Sequence, residues 1–272
     1  MANHLTGRPP SAFRTAFRVA LRTMPDCDSP ATIAVQVAAA PAFTALFYLM
    51  LAASDSGTGA GDATGALAAA LASTTGACCA QASVAMASLL AQDRFAGVLP
   101  YLTVGAGPQA ALWAGRIAAQ LTVSSASACC ALAASLAAGG TMPERGIWPF
   151  MALLLSASLV ASLGLGLATA AASLVCADAL MPANLVGYAL PLLGGVVAPV
   201  DVFPGPIATL ARALPVTWMT DASRALSARA VRDAVSDMAV GLSVGAAWAV
   251  AAAMLWRLCR ARARRRGDVA AL

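Results

Sequence analysis

The charged residues of this 272-residue chain stand too far apart for a soluble fold. Runs without any Asp, Glu, Lys or Arg lie between Asp28 and Asp55, Asp62 and Asp93, Arg94 and Arg116, and Arg116 and Glu144. Further runs separate Arg145 from Asp178, Asp178 from Asp201, and Asp237 from Arg257. An ionised side chain near the centre of a bilayer is costly, so charges mark where a membrane-embedded chain surfaces. Each run can hold the roughly 17–25 apolar residues that a spanning helix requires. Composition agrees: 60% of residues are hydrophobic and 11% charged, against about 25% charged in an ordinary soluble domain. With Ala, Leu and Val dominant and aromatics at 6%, thin and closely packed helices are expected. The alternating ten-residue segments of a lipid-facing barrel are not found.

Seven runs reduce to six spans. The stretch after Arg94 contains Gly97, Pro100, Gly105, Gly107 and Pro108, which break a helix twice and would strand backbone groups in lipid. It is expected to be a cytosolic connection, Gln92 to Arg116, with a short helix on each side. Six spans remain, near 31–53, 66–91, 117–138, 147–175, 183–200 and 236–256, preceded by a cytosolic tail, 1–30, and followed by a basic cytosolic tail, 257–272. Four Arg precede the first span, and Arg257, Arg260, Arg262, Arg264, Arg265 and Arg266 follow the last. Both ends are therefore expected in the cytosol, which requires an even count. No apolar signal-peptide core occurs before Thr32. The predicted fold class is an all-α membrane protein.

Residue types exclude several chemistries. All 17 basic residues are Arg, so a standard Walker A loop, which needs a Lys on the phosphates, has no place here. The one histidine, His4, lies in the N-terminal tail, which leaves no material for triads, HExxH zinc sites or His relays. The adjacent pairs Cys78-Cys79 and Cys129-Cys130 sit in apolar runs and read as packing residues. A soft-metal pathway is the alternative. Gly164, Gly166, Gly194 and Gly195 are expected to allow close backbone approach, and Pro41, Pro191 and Pro199 to kink the rods. The first external loop, from Ser54 to Gly65, reads as a flexible connection.

Two segments differ from simple spans. Between Ser11 and Met24, Phe13, Phe17 and Leu21 repeat at four-residue spacing, as do Arg14, Arg18 and Arg22 one position along. On a helix these form neighbouring apolar and cationic stripes, as in a helix lying in the cytosolic interface against membrane lipid. The external segment from Asp201 to Asp237 is too long for a turn. It reads as two short amphipathic helices lying on, or dipping into, the outer leaflet with Trp218 at headgroup depth, and with Asp221–Arg224 and Arg229–Asp233 at pairing distance.

This order of elements resembles the permease subunit of type-2 ATP-binding-cassette exporters of bacteria. The resemblance rests on Gly194-Gly195, Pro199 through Pro204, Leu214-Pro215 and Asp221-Ala222-Ser223-Arg224, and on Gln92-Asp93-Arg94 through Gly97. In the latter loop Val98 stands where the family usually has Thr, and Pro100 where an acidic residue is common. The resemblance implies a multi-pass protein of the bacterial cytoplasmic membrane that forms a path for a lipophilic or amphipathic cargo such as a drug or lipid. It implies an ABC ATPase partner touching Asp93, Arg94 and Gly97, an external hairpin marked by Pro204, Pro215, Asp221 and Arg224, and a second permease copy or relative. ATP and Mg would be bound by the partner, so no cofactor, catalytic residue or metal site is expected in this chain, and no nucleic acid. An ion-coupled secondary transporter is the alternative, although acidic residues at membrane depth are missing. An integral-membrane enzyme or scaffold could draw only on Asp178, Asp201, Asp221 and Arg224 at the membrane edges.

Overall fold

The computed structural model describes residues 11–24, 27–55, 63–98, 109–176, 178–197 and 199–266. The tail before Ser11, most of the first external loop and the stretch 99–108 lie outside the described residues, as do 267–272. The amphipathic helix α1 spans Ala12–Thr23, and Ser11 caps it by accepting the Arg14 amide. The first rod joins α2 (Pro30–Ile33), a π-helical turn (Ala34–Ala39) and α3 (Ala40–Asp55). Ser29 caps its start, and Pro30 fills the first helical position. Pro41 cannot supply the amide that Val37 would accept in an α ladder, and the chain widens there, with the Ala40 amide reaching the Val35 carbonyl. The long helices α4 (Ala63–Phe95), α5 (Gln109–Ala138) and α6 (Trp148–Ser173) follow. Then come α7 (Met181–Leu193), α8 (Gly205–Arg212), α9 (Pro215–Ser227) and α10 (Val231–Arg266).

Among the described residues there is no strand, and five helices are long and apolar enough to cross a membrane. Helix α7 is a shorter apolar helix of 13 residues, about 20 Å long. The all-α membrane fold is therefore as expected, with differences in how the elements end.

Helices α4 and α6 run parallel. Cys79 Sγ approaches the Ser158 carbonyl at 3.9 Å, Ser83 Oγ donates to the Ser162 carbonyl at 3.2 Å, and Arg94 Nη1 donates to the Ser173 carbonyl at 2.8 Å, always 79 residues along. Their close approach depends on Gly166, where a Cβ would fall 2.8 Å from the Ser83 carbonyl oxygen. Helix α10 packs on the other side of α6, where Gly164 and Gly245 bring the two backbones together. Small residues at these crossings replace the hydrophobic drive that association in water would provide.

The start of α6 and the start of α10 lie at the same end of the bundle, because Arg229 donates to Glu144 across the two preceding loops. At the opposite end Arg94 reaches the close of α6, and Trp113 of α5 meets Trp256 of α10 edge-on at 5.8 Å. With α6 and α10 parallel, the chain between them must return once. That return is broken: the helix expected over 183–200 ends at Leu193, and a turn at Gly194 and Gly195 (φ +70°) redirects the chain. The expected helix near 117–138 begins instead at Gln109, and the short helices foreseen beside the Gln92–Arg116 connection are the ends of α4 and α5 themselves.

The external hairpin also differs. Helix α8 is mostly exposed, but α9 is wedged among α4, α6 and α10, with Val216, Thr217, Met219, Thr220, Ala222 and Ser223 buried. It does not lie on a surface. A helix with four buried hydroxyl residues is tolerated inside because each hydroxyl donates to a backbone carbonyl.

Candidate functional site

Two clusters gather the residues singled out in the sequence. The first lies at the Asp93 end of the bundle. Helix α4 closes with a Gly in the left-handed region, Gly97 (φ +65°); the Gly97 amide donates to the Arg94 carbonyl and the Val98 amide to the Asp93 carbonyl. That cap fixes Asp93 and Arg94 in the last turn. Arg116 Nη2 stands 2.8 Å from the Asp93 carboxylate, with both side chains less than one-fifth exposed. Arg94 donates from the same nitrogen to the carbonyls of Ser173 and Cys176, at 2.8 and 2.9 Å, where α6 has run out of amide donors. The two charges expected to meet an ATPase are therefore committed to neighbours within the bundle. Phe95, Gly97 and Val98 are exposed instead.

Helix α1 lies against the start of α5. A Cβ on Gly115 would fall 2.7 Å from the Phe13 carbonyl oxygen and 2.8 Å from Ala16 Cβ, so glycine sets that approach. Ala20, Met24 and Ala119 are buried together, and Phe17 and Leu21 pack against them. Phe13 and Phe17 stack at 6.4 Å, while Arg14, Arg18 and Arg22 are exposed, as the two stripes require. Between α1, α4 and α5 lies a cavity of about 680 Å³, bordered by Asp93 and Arg116.

The second cluster is the broken helix and its wedge. The Gly194 carbonyl accepts from Thr220 Oγ1 at 2.7 Å, and the Gly195 carbonyl accepts from the Arg224 guanidinium. Arg224 also pairs with Asp221 at 3.2 Å. The Asp-Ala-Ser-Arg stretch and the paired glycines are thus one device, in which α9 supplies the donors that the end of α7 lacks. Pro204 caps α8 and Pro215 opens α9 as a buried first residue. Arg212 pairs with Asp201 at 3.0 Å and lies over the Trp218 ring, whose Nε1 donates to the Arg212 carbonyl. The expected Arg229–Asp233 pair does not form, because a Schellman turn places Arg229 at φ 61° and directs it to Glu144.

Sequence reading missed Arg116 as the partner of Asp93 and missed the cavity. The available signals were Gln81 and Gln120, two amides inside otherwise apolar runs. Both line the cavity. The cysteine pairs are divided: Cys78 and Cys79 are buried between helices, whereas Cys129 is exposed. Among the described residues no group of three or more His, Cys, Asp or Glu side chains could hold a metal ion.

Parallel rods held by glycine crossings, with one interrupted helix plugged by a re-entrant wedge, define a multi-pass membrane protein of the transport class. Residues 29–227 match the family described as ABC-2 type transporter, and the chain belongs to that family, as a membrane permease component. No curated protein and no solved structure matches it.

Proposed function

We propose that this permease works as half of an ATP-driven exporter in a bacterial cytoplasmic membrane, coupled to a separate ABC ATPase that binds ATP and Mg. Two copies, or one copy with a relative, enclose the path of a lipophilic or amphipathic cargo. The Asp93 end faces the cytosol with both chain termini, and the Arg stripe of α1 rests on lipid phosphates.

The observation that carries this reading is the tying of four elements at that end. Helix α1 is seated on Gly115 of α5, Asp93 of α4 on Arg116 of α5, and Arg94 of α4 on the last carbonyls of α6. A push on this end moves these elements as one block, which is what rigid-body switching between two packed states requires. With Asp93 and Arg94 engaged internally, the ATPase contact falls on the exposed tip, Phe95 to Val98.

A cysteine-free background with Val98→Cys, carrying a thiol-reactive photocrosslinker, tests the contact in native membranes. An adduct with an ATP-binding subunit is expected. Intact complexes yielding adducts to lipid alone would remove the docking assignment. In the same background Arg22→Cys and Arg257→Cys should resist an impermeant maleimide in intact cells, and Met142→Cys should react. The reverse pattern would invert the orientation and with it the coupling scheme.

A further inference from the structure

We propose that the cavity between α1, α4 and α5 is a loading pocket, within a single copy of the chain, for an uncharged amphiphile whose head group both donates and accepts hydrogen bonds. The inference rests on the transport reading only in regarding the occupant as cargo.

The cavity, about 680 Å³, falls inside the range of roughly 300–1,000 Å³ typical of small-molecule sites. Its walls belong to three elements that are otherwise tightly joined: α1 closes on Gly115 with no room for a methyl group, yet leaves open space beside it. The pocket follows one face of α4 from Gln81 to Gln92, about 16 Å of helix rise, from the Asp93 end toward the middle of the rod.

Gln120 is 5% exposed, lines the cavity, and its amide makes no hydrogen bond to any described residue. Its polar atoms are not sealed in the protein but open onto the cavity, where they stand free to bond an occupant. Gln81, also lining the cavity, makes no hydrogen bond to a described residue either. An amide both donates and accepts, so the pair selects a head group able to do the same.

Charge decides against an ion. The two ionisable side chains at the rim, Asp93 and Arg116, neutralise each other at 2.8 Å. Thr23, Ser88 and Gln92 add uncharged polar groups, and the rest of the wall is apolar, with Val19 from α1, Val84 and Leu89 from α4 and Leu112 from α5. Such a surface receives an acyl chain or ring system and leaves a net charge without a counterpart.

The probe is a diazirine-bearing monoacylglycerol, applied to the full chain in phosphatidylcholine nanodiscs without any ATPase, with adducts mapped by mass spectrometry. Adducts on the peptides holding Val19 to Met24 and Gln81 to Gln92, competed away by unlabelled monoacylglycerol, are expected. Gln120→Leu removes the amide at nearly constant volume and should weaken competition about three- to tenfold, the loss of one hydrogen bond to a buried group. Gln120→Asn should retain more of it than Gln120→Leu. Ala85→Trp should abolish the pocket adducts while leaving those on the lipid-facing residues Phe43 and Met50. If Ala85→Trp does not fold, the Gln120 pair alone decides. Adducts confined to lipid-facing residues, labelling that does not saturate, or equal competition in wild type and Gln120→Leu would each overturn the proposal. Because no ATPase is present, that failure is distinct from failure of the coupling scheme.

Discussion

Thr220 donates its hydroxyl to the carbonyl of Gly194 at 2.7 Å, joining a wedge helix to the broken end of the helix that precedes it by 26 residues. Both groups are buried. Thr220→Val keeps the shape and deletes the donor, so it should destabilise the fold by about 1–3 kcal/mol, the cost of a buried carbonyl left unpaired. Thr220→Ser should recover most of the loss. Thermal unfolding in detergent measures both, and equal melting of Thr220→Val and wild type would remove the plug from the account of α9.

The Asp93–Arg116 pair carries a sharper expectation. Asp93→Asn or Arg116→Gln alone leaves a mostly buried charge facing a neutral group and should cost about 1–3 kcal/mol, reduced from the fully buried case by the residual exposure. The double variant should be more stable than either single variant. A role in partner docking alone would instead leave all three with wild-type melting temperatures.

Gly164 and Gly245 set the α6–α10 crossing, and a methyl group on either meets the backbone of the other helix. Gly164→Ala should therefore force the rods apart and cost about 1–3 kcal/mol or more, as overpacking does. Gly65, with open space around its Cβ position, provides the control, since Gly65→Ala should be close to neutral. Folded yield after purification and melting temperature report the contrast.

Arg229 stands in the left-handed region at φ 61°, where a side chain costs about 1–2 kcal/mol. Its ion pair with Glu144 is about two-thirds exposed on both sides and recovers at most about 1 kcal/mol. Arg229→Gly should therefore raise stability by up to about 1 kcal/mol, despite the lost pair. Glu144→Gln should lower it slightly. A fall in melting temperature for Arg229→Gly would show that the pair outweighs the backbone strain.

The number and course of the rods were legible because lipid imposes one rule on every residue. The gap between Asp62 and Asp93 predicts α4, and the four-residue repeats of Phe13, Phe17 and Leu21 predict α1, from local pattern alone. The ends were less legible. Gln92 to Arg116 reads as a connection because Gly97, Pro100, Gly105, Gly107 and Pro108 break a helix, yet α4 runs on to Phe95, α5 begins at Gln109, and Asp93 and Arg116 pair on those helix ends. Arg229 and Asp233 stand at helix spacing, but a turn at Arg229 that spacing does not encode sends the side chain elsewhere.

Sequence alone determined that this chain lives in a bilayer, that its rods are apolar and small-faced, and which chemistries it lacks. Those properties depend on how each segment partitions between water and lipid, a free energy summed residue by residue. Tertiary structure decided the partners of the polar minority: Asp93 with Arg116, Arg94 with the end of α6, Thr220 and Arg224 with the broken α7. It also left Gln120 facing a cavity without a partner. A polar group buried among apolar rods is satisfied only by whatever the packing brings within hydrogen-bond reach, and residues 23, 26 or 79 positions apart meet only once the rods have been placed.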